Sequence, residues 1–225
     1  MKRVPLSTYR AQRRGGKGRS GMSTREEDFV EQIFVASTHT PLLFFSSAGM
    51  AYALKVYKLP LASATSRGKP LSSILPLQND RVSTILQLPE DEEVRKSLYI
   101  AFATSSGKVR RNTLADFSNI RSNGKVAMKL SQNEYLVNVC TCTEKNDILL
   151  ATHYGKCIRF AITDIRVFSG RNSEGVAGIK LAEGDKVVSM SVLTHSDFTV
   201  EERDDFLKRS RAIRSGDAAV SGLTR

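Results

Sequence analysis

Three segments of the chain repeat one plan: an apolar stretch, a small polar turn that contains glycine, and a second stretch that carries a cation. Their sequences are LLFFSSAGMAYALKV (42–56), YIAFATSSGKVRRNTLADF (99–117) and ILLATHYGKCIRFAITDI (148–165). The turn glycines are Gly49, Gly107 and Gly155, at intervals of 58 and 48 residues. Repetition at such intervals predicts a fold of equivalent units that stack on one another, because one unit is too small to bury its apolar face alone.

Each of these hairpin-like segments is followed by a loop with another glycine and then by a further apolar run. The loop glycines are Gly68, Gly124 and Gly175, and the closing runs are residues 82–88, 135–142 and 187–193. The runs are short, rich in Val, Ile, Leu, Phe and Thr, and bounded by Gly, Asn, Asp and Ser, as is typical of strands joined by turns. Four strands per unit predict an all-β fold of bladed type.

The two ends of the sequence depart from this plan. Gly18 precedes Phe29 by eleven residues, as Gly124 precedes Tyr135, which predicts a first unit whose last strand follows Phe29 and whose upstream half is mostly missing. We therefore expect a partial bladed domain over 1–198, made of a half blade (1–33) and blades at about 34–90, 91–143 and 144–196. Thr199 and Glu202 have the spacing of a helix capping box, which predicts a helical insertion and a flexible tail over 199–225.

The composition favours a polyanionic partner. Among 225 residues, Lys and Arg outnumber Asp and Glu by 34 to 23, a formal net charge of +11. Such a surplus favours nucleic acid over an anionic membrane, although charge can also serve only to keep a protein dispersed. No apolar run approaches the length of a membrane span, no secretory signal is visible, and the three cysteines are an odd number. We expect a cytoplasmic protein with no membrane partner.

The stretch QRRGGKG (12–18) is the strongest candidate for contact with an anion. It holds three cations and three glycines, within a block of 25 residues that has eight cations and no acid. Glycine lets backbone N–H groups approach a phosphate closely, and Arg and Lys neutralise phosphate oxygens. The alternative is a solvated tail, but QRRGGKG lies between the strand-like segment KRVPL (2–6) and the strand aligned after Phe29. The residues predicted here to contact the phosphates of a nucleic acid are Gln12, Arg13, Arg14, Gly15, Gly16, Lys17, Gly18 and Arg19.

The other units also carry cations near their turns, which predicts a basic rim along the bladed body. These cations are Lys108, Arg110, Arg111, Lys125, Lys156 and Arg159. The sequence shows no recognition helix for a DNA groove and no pair of aromatic residues of the RNA-binding type. We therefore expect contact with the nucleic-acid backbone and little sequence preference.

The sequence offers little support for a metal site or for catalysis. Cys140, Cys142, His153 and Cys157 have ligand types suited to zinc, but the repeat aligns Cys140 with Ser191 and Cys157 with Val109, which indicates packing positions. The three histidines lack the context of a hydrolase or metalloprotease motif, and GGKG is too short for a Walker motif. We expect no catalytic residue, no metal ligand and no cofactor in this chain.

QRRGGKG resembles the GyrA box, and the units around it resemble the C-terminal DNA-wrapping domain of bacterial DNA gyrase A over essentially the whole chain. The resemblance implies a β-pinwheel, a propeller-like ring of four-stranded blades that exchange a strand with their neighbours. It also implies that double-stranded DNA bends around a basic perimeter and so supports ATP-dependent negative supercoiling by the whole enzyme. The implied partners are DNA, the remainder of gyrase A and the gyrase B protein, in the bacterial cytoplasm.

Two departures from that family qualify what the resemblance implies. The family's domain usually has six blades, whereas this sequence offers about three and a half. The active-site tyrosine and the ATPase partner lie in regions that the chain lacks, so ATP and Mg belong to other parts of the enzyme. We therefore expect a fragment that is inert as a topoisomerase alone. The alternatives are the related C-terminal domain of topoisomerase IV, whose box is typically degenerate, and a propeller-type platform for protein interactions.

Overall fold

The computed structural model of the chain describes residues 1–9, 14–18, 21–24, 26, 28–78 and 80–215. The strands in this part are β1 (Pro41–Ser46), β2 (Met50–Lys55), β3 (Val82–Gln87), β4 (Tyr99–Thr104), β5 (Lys108–Thr113), β6 (Lys125–Val126), β7 (Leu136–Cys142), β8 (Asn146–Thr152), β9 (Cys157–Ala161), β10 (Val176–Ala177) and β11 (Val187–Thr194). The α-helices are α1 (Glu92–Ser97) and α2 (Val200–Ser215). The predicted all-β class with a C-terminal helix is confirmed.

The strands form three small sheets, each built on a hairpin of one unit. Their strand orders are β3-β1-β2-β6, β10-β5-β4-β7 and β11-β8-β9. The two-residue strands β6 and β10 come from the loop of the following unit: Lys125 lies opposite Ala51 of β2, and Val176 lies opposite Val109 of β5. Each of the first two blades is therefore completed by a strand from its neighbour, and the predicted blades with strand exchange are confirmed.

The first residues of the chain have the role that β2 and β5 have in the other blades, as the segment with which an exchanged loop pairs. The Lys69 amide donates to the Met1 carbonyl at 2.9 Å, in the same position relative to its loop as Lys125 and Val176. Arg3 forms a parallel bridge with Leu61, and Arg111 forms the equivalent bridge with Val167. The loop after β2 is thus a third copy of the exchange arrangement, with residues 1–5 as its partner.

The strand predicted after Phe29 is not formed. Residues 28–37 have no assigned strand, and the side chains of Phe29 and Ile33 are 76% and 83% exposed. The equivalent strands β3 and β7 each pair with the first strand of their own unit, β1 and β4. No such strand lies beside residues 28–37 in the part of the chain that the structure describes. Apolar residues in this segment therefore have no sheet to join, although Phe34 packs partly against the first blade.

The core lies between successive blades. Phe45 of β1, Phe102 of β4 and Phe117 meet with ring centroids 5.5–5.9 Å apart, and all three are fully buried. The second and third blades enclose another cluster that includes Ile148 and Val187. Strands such as β1 have both faces covered, so their sequences are continuous apolar runs without the alternation of a half-exposed sheet. Packing between blades is therefore what fixes the fold.

Residues 1–193 and 194–225 are separate compact units. In the second unit, Thr199 and Glu202 form the predicted capping box. The Thr199 amide donates to the Glu202 carboxylate at 2.9 Å, and the Glu202 amide donates to the Thr199 hydroxyl at 3.2 Å. Helix α2 that follows has no buried residue along its described length. Within the described ranges, no helix combines the length and apolar character that a membrane crossing requires.

Candidate nucleic-acid interface

The described part of the QRRGGKG stretch is an open loop. Residues 14–18 are all exposed, and Arg14 and Gly15 form a turn. Gly15 has φ of +82°, a backbone conformation that favours glycine, and a Cβ there or at Gly18 would have no atom within 4 Å. The glycines therefore leave the backbone uncovered, as contact with a phosphate would require. Gln12, Arg13 and Arg19 lie outside the described residues.

Three loops of the body pair through their backbone with a neighbouring segment, and we call them exchange loop 1 (64–73), exchange loop 2 (120–129) and exchange loop 3 (171–180), around Gly68, Gly124 and Gly175. Loops 2 and 3 contain β6 and β10, and loop 1 bonds to Met1. Gly124 and Gly175 have φ of +85° and +89°. A Cβ at Gly124 would lie 2.5 Å from the Tyr52 ring, and one at Gly175 would lie 2.4 Å from the Val109 carbonyl oxygen. Glycine at these positions lets each loop approach the preceding blade, so the loops have equivalent positions in successive blades.

Exchange loops 1 and 2 present exposed cations. Lys125 directly follows Gly124, and Arg67 and Lys69 flank Gly68. Lys125 was among the cations predicted to contact DNA, whereas Arg67 and Lys69 were not. The signal that would have found them is the alignment of Gly68 with Gly124, since the flanking residues of one loop predict the role of those in another.

Two more predicted cations are on the surface of the third blade. Lys156 is exposed at the turn between β8 and β9. Arg159 on β9 is also exposed, but its guanidinium bonds to the Asp147 carboxylate, with Nε–Oδ2 and Nη2–Oδ2 distances of 2.6 Å. Lys156 is thus presented to solvent, whereas Arg159 already has a carboxylate partner.

Lys108 lies at the equivalent turn of the second blade and is held by carboxylates. Its Nζ is 2.5 Å from Glu174 Oε2 and 3.7 Å from Glu134 Oε2, and it donates to the Ser131 hydroxyl at 2.9 Å. The hydrogen bond to Glu174 raises the pKa of Lys108 above its usual value. The lysine is therefore charged, but its charge is matched within the protein.

Arg110 was predicted as a DNA contact, and this assignment is wrong because the side chain is fully buried. Its Nη1 donates to the carbonyls of Arg171 and Ser173 at 2.8 Å, Nη2 donates to the Ala127 carbonyl, and Nε donates to Asn112. Burial lowers the pKa of Arg110 to about 10, opposed by the nearby Asp116 carboxylate. This guanidinium bonds exchange loops 2 and 3 to β5 and has no route to a phosphate.

Arg111 was also predicted to belong to the basic rim, and this assignment is wrong. It is only 6% exposed, and its guanidinium carbon lies 4.7 Å from the centroid of the Tyr99 ring. A cation over an aromatic face is attracted by the ring quadrupole, which suits a buried arginine. The strand position that suggested a surface cation is therefore an internal one.

The cysteines occupy packing or surface positions. Cys142 is buried, Cys140 half-buried and Cys157 exposed, and all three are free thiols. Burial raises the pKa of Cys140 to about 12 and that of Cys142 to about 11. Among the residues that the structure describes, no three His, Cys, Asp or Glu side chains are grouped to hold a metal ion.

These environments predict unequal thiol reactivity. With a thiol-specific chromogenic reagent at pH 8, we expect Cys157 to react at once and the other two only after unfolding, because a thiolate is the reactive form and burial disfavours it. The measurement is the number of thiols modified before and after addition of guanidinium chloride. Rapid reaction of two or three thiols in the folded chain would contradict these packing positions.

The chain matches the family model described as the DNA gyrase C-terminal domain, β-propeller, over residues 1–37, 40–96, 98–139 and 146–194. It is 51% identical over 208 residues to the DNA gyrase A protein of Rickettsia conorii, covering 92% of this chain and 23% of that protein. It is 44% identical over 193 residues to the DNA gyrase A protein of Escherichia coli, covering 85% of this chain and 22% of that protein. The chain thus spans about a quarter of the length of these curated relatives.

Solved structures agree on the fold. The C-terminal domain of DNA topoisomerase IV superposes with a TM-score of 0.74 at 23% identity, covering 87% of this chain and 58% of that one. The DNA gyrase A C-terminal domain superposes with a TM-score of 0.60 at 24% identity, covering 85% and 60%. The blades, their exchange strands and the family match over most of the sequence lead to one conclusion: this chain belongs to the DNA gyrase C-terminal domain, β-propeller family.

Proposed function

We propose that this chain binds and bends duplex DNA as a domain of a DNA gyrase A protein. The observation that carries the proposal is the recurrence of exposed cations directly before or after the loop glycine of successive units: Lys17 beside Gly18, Arg67 and Lys69 beside Gly68, and Lys125 beside Gly124. Cations at repeated structural positions favour a ligand that is itself a repeating line of negative charge. Duplex DNA has one negative charge per about 1.7 Å of helix axis.

Bending sets a requirement that a repeated surface meets better than a single patch. Smoothly bending 20–30 base pairs by 40–90° costs of order 1–6 kcal/mol, so phosphate contacts must be spread along the curved path. The exchange loops are fixed to their neighbouring blades by backbone pairing at Ala51 and Val109. Rigidly held loops can keep their cations against a bent duplex, whereas a mobile tail would follow a straight one.

The expected contacts do not read base sequence. The candidate groups are Lys and Arg side chains and the uncovered backbone of residues 14–18, all of which suit phosphate oxygens. Specificity would then depend on how easily a duplex bends. The 44–51% identity to gyrase A proteins favours gyrase over topoisomerase IV as the parent enzyme.

The activity of the whole enzyme is a further step of the proposal. Because the chain spans only 23% of its relatives, we propose that it supports ATP-dependent negative supercoiling only together with the rest of gyrase A and with the gyrase B protein, on DNA in the bacterial cytoplasm. By itself the chain would bind and bend DNA without changing its linking number, and ATP and Mg would act in other parts of the enzyme.

A double substitution, Arg14→Ala with Lys17→Ala, tests the proposal. We expect it to abolish bending of a short duplex labelled with a FRET pair at its two ends, because the loop that anchors the path loses both described cations. The slope of log K against log salt should become shallower by about 1.8 if each cation neutralises one phosphate.

The matched control removes the same charge elsewhere, with Lys145→Ala and Arg166→Ala, both exposed and outside the exchange loops. We expect this control to bend DNA like the unaltered chain. Equal FRET change in the two double variants would show that net charge alone matters. Unaltered bending by the Arg14/Lys17 variant would refute the proposed role of the loop.

A further inference from the structure

The charge around the loop glycine changes systematically along the chain. The residue before the glycine is Lys17, Arg67, Asn123 and then Glu174, in the order of the units. The residue after it is Arg19, Lys69, Lys125 and then Val176. The flanking charge therefore falls from two cations in the first two units to one cation in the third and one anion in the last.

Glu174 in exchange loop 3 is held against the second blade. Its Oε2 is 2.5 Å from Lys108 Nζ and accepts from the Ser131 hydroxyl at 3.2 Å. The Oε2 atom of Glu134 lies 3.7 Å from the same Lys108 Nζ. The side chain of Glu174 remains 39% exposed, while that of Glu134 is 2% exposed. Of the two carboxylates around Lys108, Glu174 is thus the one that an approaching phosphate would meet.

Exchange loops 2 and 3 are direct neighbours. The Lys129 amide donates to the Ser173 carbonyl at 3.2 Å, and Arg110 donates to the carbonyls of Ala127 and Ser173. A duplex that contacts Lys125 in loop 2 therefore passes next to loop 3. At that point it meets a carboxylate and a lysine whose charge is already matched.

We propose that Glu174 ends the phosphate-binding path on this chain, by repelling DNA at exchange loop 3 and by holding Lys108 away from it. This inference rests on the proposed function, since it assigns a direction to the same DNA-binding surface. DNA contacts residues 14–18 and exchange loops 1 and 2, and its contact with the chain ends at exchange loop 3. Glu174 is a specificity-determining residue because it sets how much duplex the chain engages.

Replacing Glu174 tests the assignment. Glu174→Gln removes the repulsion and the nearer of the two carboxylates at Lys108, leaving Glu134 at 3.7 Å. We therefore expect tighter DNA binding and a slope of log K against log salt that steepens by up to about 0.9, the value for one added phosphate contact. Glu174→Lys gives loop 3 the charge of the other loops and should lengthen the duplex segment protected from hydroxyl radicals. In the Glu174→Gln background, Lys108→Met should reverse the gain.

Glu183→Gln is the matched control, because it makes the same change in net charge at an exposed position outside the exchange loops. We expect little effect from it on salt slope or footprint. If Glu183→Gln tightens binding as much as Glu174→Gln, or if Glu174→Lys leaves the footprint unchanged, the inference is overturned. Failure of the proposed function would give a different result. The unaltered chain would not bend DNA, and Arg14→Ala with Lys17→Ala would not change its DNA binding.

Discussion

Arg110→Met is expected to lower the free energy of unfolding of residues 1–193 by about 3–5 kcal/mol, the range seen when one partner of a buried charged network is removed. Methionine fills much of the same volume but cannot donate to the carbonyls of Ala127, Arg171 and Ser173. Each buried acceptor left without a donor costs about 1–3 kcal/mol, which outweighs what is gained by not burying a charge. The loss should appear as a lower urea midpoint in circular dichroism.

The control for Arg110 is Arg166→Met. Arg166 is exposed, and its guanidinium carbon lies 4.3 Å from the centroid of the Phe168 ring, as that of Arg110 lies 5.1 Å from the centroid of the Phe102 ring. The two arginines thus share contact with an aromatic ring, but Arg166 does not share the burial of Arg110 or its bonds to carbonyls. We expect a change of about 0.5 kcal/mol or less, as for most surface substitutions. If Arg110→Met were as stable as this control, the guanidinium would not be the structural link between exchange loops 2 and 3.

Gly175→Ala is expected to displace exchange loop 3 and to destabilise the second blade by about 2–5 kcal/mol, from unfavourable backbone conformation and overpacking together. The φ of +89° disfavours alanine, and the added Cβ would lie 2.4 Å from the Val109 carbonyl oxygen. That oxygen belongs to the backbone and cannot turn aside, so β10 must leave β5. Faster amide hydrogen exchange at Gly178, whose N–H donates to the Gly107 carbonyl, would report the displacement.

Gly155→Ala is the control that separates the cost of the backbone conformation from the cost of overpacking. Gly155 has a similar φ of +81°, but a Cβ there would have no atom within 4 Å. We therefore expect only the cost of the left-handed backbone, about 1–2 kcal/mol, and unchanged exchange at Gly178. Equal destabilisation by the two substitutions would mean that the close approach of exchange loop 3 to Val109 contributes nothing.

The repeat in the sequence predicted the blades because each element of a blade has a local signal. A turn glycine such as Gly107, with φ of +83°, is required by the hairpin itself, and the apolar run before it belongs to β4, a strand buried on both faces. The same alignment predicted the loops at Gly68 and Gly124. It failed for residues 28–37, because a strand forms only when another strand pairs with it, and apolar character does not supply that partner.

The cations show most clearly what the sequence could not predict. Lys125, Arg110 and Arg111 read alike in the sequence, as positive residues close to a glycine turn. The tertiary structure places Lys125 on the surface, Arg110 among backbone carbonyls and Arg111 over the Tyr99 ring. It also pairs Lys108 with Glu174, which is 66 residues away in the chain.

The sequence by itself thus determined the family, the repeated blade and the basic loop at residues 14–18, because these depend on local composition and spacing. Only the tertiary structure decided which cations remain available to a phosphate. Whether a positive charge faces solvent, a carbonyl or a carboxylate depends on which segment the neighbouring blade brings beside it. That segment is distant in sequence, so no local pattern records it.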